Sequence, residues 1–223
     1  MATRRSYGDP CGIARALDLV GERWAVLVVR ELLLGPKRFT DLRRGLPNLS
    51  PDVLAQRMRE LELGSIVRRR KLPPPAASQV YELTEWGREL EPALLALGRW
   101  GSRAPFPPGD AQLGVDAMML ALRTLFDASA ADGLSASYEL RLGPVIIHAR
   151  IENGRATVRE GPLADADLVI EAGPGVKDLM SGVLSPRDAI DSGSVRITGD
   201  PAFLDRFVEV FRIPTRPACP SYT

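Results

Sequence analysis

The sequence predicts an α+β chain in two parts, and three observations carry that expectation. Residues 1–102 read as a run of helices closed by one basic hairpin, a Pro/Gly-rich stretch at 103–110 breaks the pattern, and residues 111–212 mix short helices with alternating strands. A chain of 223 residues is long enough for two cores, with 213–223 left as a tail.

In order, "CGIARALDLVGERWAVLVVRELLLGPKRF" supplies two helices separated by Gly21, the second ended by Gly35-Pro36. Ile13, Leu17 and Val20 give the first an apolar face; Trp24, Leu27, Val28 and Leu32 give the second a wide one. "RFTDLRRGLPNLS" predicts a short helix capped near Thr40 and a turn around Gly45 and Pro47. The next helix starts at Ser50, a good N-cap, followed by Pro51 and Asp52, and stops at Gly64. Leu54, Met58 and Leu61 form its buried stripe, which leaves Asp52, Gln56 and Arg59 pointing outward. "SIVRRRK" and "SQVYELT", joined by the tip "LPPPAA", then read as a hairpin. Short helix, turn, longer helix and basic hairpin make a winged helix-turn-helix, in which the second helix enters the DNA major groove. "LTEWGRELEPALLALGRWGSR" is a closing helix capped at Thr84, bent at Pro92, with a stripe of Trp86, Leu90, Leu94, Leu97 and Trp100. That stripe suits either a partner surface or packing within the domain.

Beyond the linker, "AQLGVDAMMLALRTLFDAS" is an apolar helix. "SYELRLG", "VIIHARIENGRATVRE" and "ADLVIEAG" alternate as strands, with Asn153-Gly154 a strong hairpin signal. Helices around "GVKDLMSG" and "SPRDAID", the strand "SVRITGD" and the helix "PAFLDRFVEVF" complete a second α+β unit.

The formal net charge of +1 conceals a division. Residues 1–103 hold 18 Lys and Arg against 12 Asp and Glu, whereas 104–223 hold 11 against 16. The first half is therefore suited to a polyanion and the second is not. "MATRRSYGDP" lacks the apolar core of a signal peptide, and no run of about 20 apolar residues occurs, so no membrane association and a cytoplasmic location are expected. Cys11 and Cys219 lie far apart with no CxxC and one histidine, which supports neither a metal site nor a disulfide framework. His148 has no paired nucleophile or carboxylate cluster beside it in sequence, so its expected role is structural; no enzyme activity and no cofactor are expected.

The residues expected to meet double-stranded DNA are Arg38, Thr40, Asn48, Ser50, Pro51 and Asp52 around the turn, Gln56, Arg57 and Arg59 on the second helix, and Arg68, Arg70 and Lys71 on the hairpin. Gln can pair with adenine and Arg with guanine, while hairpin cations reach phosphate or the minor groove. Arg57 lies nearer the apolar stripe, where it pairs with a phosphate or a neighbouring acid. Alternation along a strand lets only about half of the cations at 68–71 share a face.

The first hundred residues resemble the HxlR family of bacterial winged-helix regulators, on "CGIARALDLVGERWAVLVVRELLLGPKRFTDLRRGLPNLSPDVLAQRMRELE" and "YELTEWGRELEPALLALGRWG" taken together. The resemblance implies a homodimer on operator DNA, built largely through the first and last helices of this domain. Some relatives of this kind sense oxidants through a cysteine placed like Cys11, at a helix start where the dipole favours a thiolate. The expectation adopted for Cys11 is instead a buried small hydrophobe. Residues 111–212 resemble the sterol carrier protein type 2 fold, a sheet covered by helices around an apolar tunnel, on "ADLVIEAGPGVKDLMSGVLSPRDAIDSGSVRITGDPAFLDRFVEVF". That resemblance implies an apolar or aromatic small-molecule effector, with Met118, Met119, Leu122, Phe126, Ile147 and Phe207 as its lining. The expected whole is a dimeric transcriptional repressor. The alternatives are a redox sensor acting through Cys11 with a structural C-terminal half, or a lipid carrier or enzyme localised by a DNA-binding module.

Overall fold

The structure, a computed structural model, describes residues 6–75, 77–104, 114–173 and 175–214. Internal contacts divide the chain into two units, Met1–Leu94 and Leu95–Thr223. The expected linker, apart from Arg103 and Ala104, lies outside the described residues, as do Cys219 and the tail beyond Pro214.

In the first unit α1 (Gly12–Val20), α2 (Ala25–Leu32), α3 (Phe39–Gly45) and α4 (Pro51–Leu63) precede the hairpin β1 (Val67–Lys71) and β2 (Gln79–Leu83), then α5 (Glu85–Arg88) and α6 (Glu91–Gly101). The unit boundary falls inside α6. Helix α4 forms as its sequence dictates: the Ser50 hydroxyl accepts a hydrogen bond from the Val53 amide at 3.4 Å, Pro51 opens the first turn, and Gly64 closes the last. Leu54, Met58 and Leu61 are buried against Val28, Val29, Leu32 and Leu42. Helix α3 begins two positions earlier than a cap at Thr40 implies. Arg38 is its N-cap, because the Asp41 carboxylate accepts from the Arg38 amide at 3.2 Å, and Thr40 lies inside the first turn. The closing helix is broken rather than bent: α5 stops at Arg88 and α6 restarts at Glu91, so Pro92 sits in a first turn, where its missing N–H costs no helix bond. Gly87 lets α5 approach the wing closely, since a Cβ there would stand 2.1 Å from the Ile66 carbonyl oxygen.

A buried carboxylate joins these pieces. Glu31, 1 % exposed, accepts from Lys37 Nζ at 2.8 Å and from Arg30 at 2.7 Å. It lies so close to α3 that a Cβ on Gly45 would be 2.2 Å from its Oε2. The backbone of Lys37 pairs with Tyr81 in both directions, at 2.9 and 2.8 Å, which adds a short third strand to the hairpin.

The second unit contains α7 (Val115–Leu125), β3 (Ala136–Leu142), β4 (Val145–Glu152), β5 (Arg155–Glu160), β6 (Leu168–Ala172), α8 (Gly175–Ser181), α9 (Pro186–Asp191), β7 (Val195–Gly199) and α10 (Ala202–Val210). The sheet runs β5-β4-β3-β6-β7, antiparallel except where β3 meets β6. Asn153 and Gly154 both adopt positive φ, 52° and 69°, as a tight hairpin turn requires. Tyr138, Leu140, Ile147, Ala149, Ile151, Leu168 and Ile170 are buried on one face, with Tyr138 packed edge-on against Phe207 of α10 at 5.3 Å. On the other face Glu139 accepts from the Leu163 amide at 2.6 Å, and His148 Nδ1 stands 2.9 Å from the Gly161 carbonyl oxygen. His148 thus meets the backbone at the start of the 161–167 crossover.

Burial pushes the Glu31 pKa up, but the hydrogen bonds and charges of Lys37 and Arg30 outweigh it and hold the carboxyl below its ordinary 4.5. A depressed folded pKa contributes stability above about 4.5 that is lost as pH falls through the lower folded value. Glu31→Gln should therefore cost about 3 kcal/mol at pH 7. Thermal unfolding from pH 7 to pH 3 should show the variant's midpoint falling less steeply than the wild type's.

Candidate nucleic-acid interface

The interface is built on the turn between α3 and α4. Leu42, Leu46 and Leu49 are buried, which fixes the angle at which α4 leaves the turn. Asn48, Ser50, Pro51 and Asp52 remain exposed at the start of α4, and Gln56 and Arg59 continue that exposed line. Gln56 is loosely occupied, donating from Nε2 to Glu60 at 3.0 Å, whereas Arg59 has no partner among the described residues.

Arg57 does not share this surface. Its side chain is 9 % exposed and lies between Glu22, at 3.2 Å, and Glu60, at 2.9 Å, so it ties α4 to the segment joining α1 and α2. The sequence allowed Arg57 an acid or a phosphate, and the fold assigns it the acids. Arg57 is therefore an internal strut and not a DNA-facing residue.

The wing places its cations on two faces. Arg68 and Arg70 share one, and each donates from Nε to the buried Glu82, both at 2.8 Å. Burial works to raise the Glu82 pKa, but the bonds from Arg68 and Arg70 prevail and the group is held below its ordinary value. Arg69 turns to the other side, where it binds Glu62 of α4 at 2.6 and 2.9 Å and lies 5.3 Å over the Tyr81 ring. Lys71 shares the alternation of Arg69 and is exposed. Arg68, Arg70 and Lys71 therefore do not form one surface. Arg38 reaches the second leg of the wing through Ser78 Oγ at 3.1 Å.

A groove of about 270 Å³ lies beside the turn, lined by Thr40, Arg43, Arg44, Pro47 and Leu49. Arg43 and Arg44, both exposed, were missing from the expected surface. Their signal was the i, i+3, i+4 spacing from Thr40, which puts all three on one side of α3. Elsewhere in this unit Ile13 and Leu17 of α1 are 73 % and 44 % exposed, so only Val20 of the expected apolar face is buried. A second groove of about 730 Å³ runs beside them, walled by Leu19, Val20, Ile66, Trp86 and Leu90. Cys11 is exposed at the start of α1, its amide bonded to Asp9 at 2.8 Å, which overturns its expected burial.

The expected effector lining in the second unit is largely closed core. Ile147 and Phe207 are fully buried, and Met119 and Leu122 nearly so. Phe126 packs at a tilt against Phe211 at 5.7 Å and Phe207 against Phe211 at 5.0 Å, so aromatic contacts occupy this region. Met118 and Phe126 are half-buried. The Tyr138 hydroxyl is buried without a hydrogen-bond partner among the described residues, and burial pushes its pKa up to about 12. Among the described residues no group of His, Cys, Asp and Glu is placed to hold a metal ion, and no helix is long and apolar enough to cross a membrane.

If Arg57 is a strut and Arg59 a free surface residue, Arg57→Ala should lower unfolding stability by about 1–3 kcal/mol, and Arg59→Ala should stay within about 0.5 kcal/mol of wild type. Urea denaturation of the two variants separates these roles.

The HxlR-like helix-turn-helix family model matches residues 19–105. Over 88 residues the chain is 39 % identical to the HTH-type transcriptional regulator YvaP of Bacillus subtilis, a match covering 40 % of this chain and 82 % of YvaP. Over 95 residues it is 37 % identical to the HTH-type transcriptional regulator YodB of Bacillus subtilis, covering 43 % and 84 %. Among solved structures, the redox regulator HypR in its oxidized form aligns at 33 % identity and a TM-score of 0.41, covering 44 % of this chain and all of that one. Because the matches span most of the length of YvaP and of YodB at well over 30 % identity, the chain belongs to the HxlR-like helix-turn-helix family of transcriptional regulators.

Proposed function

We propose that the protein is a dimeric repressor that binds operator DNA through residues 1–102, with α4 in the major groove and the wing against the backbone. The observation that carries this reading is the exposed line Ser50, Asp52, Gln56 and Arg59 on a helix whose opposite side is sealed into the core. Gln56 and Arg59 read base edges; Thr40, Arg43, Arg44, Asn48 and the wing arginines hold phosphate. Dimerisation through α1 accounts for Ile13 and Leu17, which a lone unit leaves in water beside the 730 Å³ groove. Two recognition helices related by a twofold axis then read half-sites about one helical turn apart.

Residues 111–212 serve this reading as a sterol carrier-like sensor, with 103–110 as its linker. A single sheet with an apolar helix-covered face supports that assignment. An apolar or aromatic effector would have to open the Phe126, Phe207 and Phe211 cluster, and one carrying a hydrogen-bond acceptor would meet the unpartnered Tyr138 hydroxyl. Its binding would shift the population between dimer geometries that fit and do not fit the operator. A second reading is favoured by one observation, the exposure of Cys11: oxidation or alkylation of that thiol releases DNA with no ligand in the second unit.

Gln56→Ala or Arg59→Ala should weaken binding to a duplex selected by the protein by about 1–3 kcal/mol per half-site and leave random duplex nearly unaffected. Equal losses on both duplexes would remove these residues from base reading. Peroxide or diamide treatment of wild type and Cys11→Ser decides between the sensors. Release that disappears in Cys11→Ser identifies the thiol, whereas release only by an added apolar compound identifies the second unit.

A further inference from the structure

Glu82 is out of place on electrostatic grounds. It is a carboxylate on the wing of a module proposed to meet a polyanion, so it repels phosphate, and at 4 % exposure it also bears the cost of leaving water. Its two oxygens are fully used: Oε1 accepts from Arg68 Nε and Oε2 from Arg70 Nε, at 2.8 Å each. Holding a guanidinium by Nε leaves its two terminal nitrogens at the outer edge of the plane, and neither arginine has a partner there among the described residues. Both side chains are about half exposed, so those outer edges reach the surface.

We propose that Glu82 is a positioning residue for DNA recognition: it clamps Arg68 and Arg70 into a rigid pair of outward-facing forks that engage the DNA backbone at a fixed separation. Residues i and i+2 of a strand stand about 6.6 Å apart, so the forks are spaced by the β-pleat. One carboxylate between two guanidinium groups leaves the triad with a net positive charge. Two long side chains that are ordered before DNA arrives lose less freedom on binding than two free ones. The clamp persists at neutral pH because the hydrogen bonds from both arginines hold Glu82 ionised despite its burial. Glu82 is itself fixed by strand register, since it faces Arg68 directly across the ladder and Arg70 lies on the diagonal opposite Val80. The alternative assigns Glu82 only to neutralising two neighbouring cations, in which case its charge simply lowers affinity for any duplex.

This inference rests on the DNA-binding reading above, and the test separates the two. Full-length wild type is used to enrich a duplex from a random pool, and affinities for that duplex and a scrambled one are measured over a range of salt. Glu82→Gln adds net positive charge, so charge alone predicts tighter binding to both duplexes. The clamp predicts about tenfold weaker binding to both duplexes, because backbone contacts are made on any sequence. Arg68→Lys with Arg70→Lys keeps the charge and removes the forks. It should lose a similar factor on both duplexes while keeping the wild-type salt slope, which counts phosphates neutralised. Parallel tightening on both duplexes by Glu82→Gln, or wild-type affinity in the double lysine variant, overturns the clamp and leaves the DNA-binding reading standing. Failure of the wild type to enrich any duplex overturns both. If Glu82→Gln does not fold, as read by its thermal transition, the double lysine variant decides.

Discussion

The N-terminal module depends on one buried carboxylate. Glu31 sits on α2, binds Lys37 and Arg30, and presses against the backbone of α3 at Gly45. Lys37 in turn pairs through its backbone with Tyr81 of the wing. The core helix, the helix-turn-helix and the hairpin are therefore referenced to a single charged group. Apolar packing alone specifies volume more readily than orientation. An ion pair with fixed geometry fixes direction, and direction is what two reading elements on one duplex require.

A second theme is how many of the module's cations are held by acids of the same chain. Arg57 binds Glu22 and Glu60, Arg69 binds Glu62, and Arg68 and Arg70 divide Glu82. Arg69 and Glu62 link the wing to the end of α4. The net positive charge of the first hundred residues thus overstates the charge free to meet phosphate. What it supplies instead is a set of cations arranged before binding, with Arg59 and Lys71 left exposed.

The parts that the sequence made legible are those fixed locally. Ser50, Pro51 and Gly64 bounded α4 because capping is decided within a few residues, and Asn153-Gly154 marked its turn because few residues adopt positive φ cheaply. The stripe of Leu54, Met58 and Leu61 gave the buried side and, by subtraction, the exposed one. Features set by sequence-distant partners were not legible. The sequence leaves Arg57 a phosphate or an acid as partner, and only the fold brings Glu22 to it; nothing in "VYELT" shows that Glu82 faces two arginines. Periodicity also gives an apolar face without saying what covers it: Ile13 and Leu17 lie on the apolar face read for α1, yet both are exposed. Cys11 was misplaced for a related reason: residue type favours burial, but a position before the first turn of α1 lies outside the packed stripe. In the second unit, apolar residues suited to line a pocket were equally suited to fill one, and Phe207 and Ile147 fill it.

Two copies of α4 reading one duplex from adjacent major grooves would leave their protection on one side of the helix. Hydroxyl-radical footprinting of the full-length protein on a duplex that it has enriched from a random pool tests this most directly. The account predicts two protected patches whose centres lie about 10 base pairs apart or a whole multiple of that, on one face of the helix. A single unrepeated patch, or uniform protection that fades with salt regardless of sequence, would contradict it.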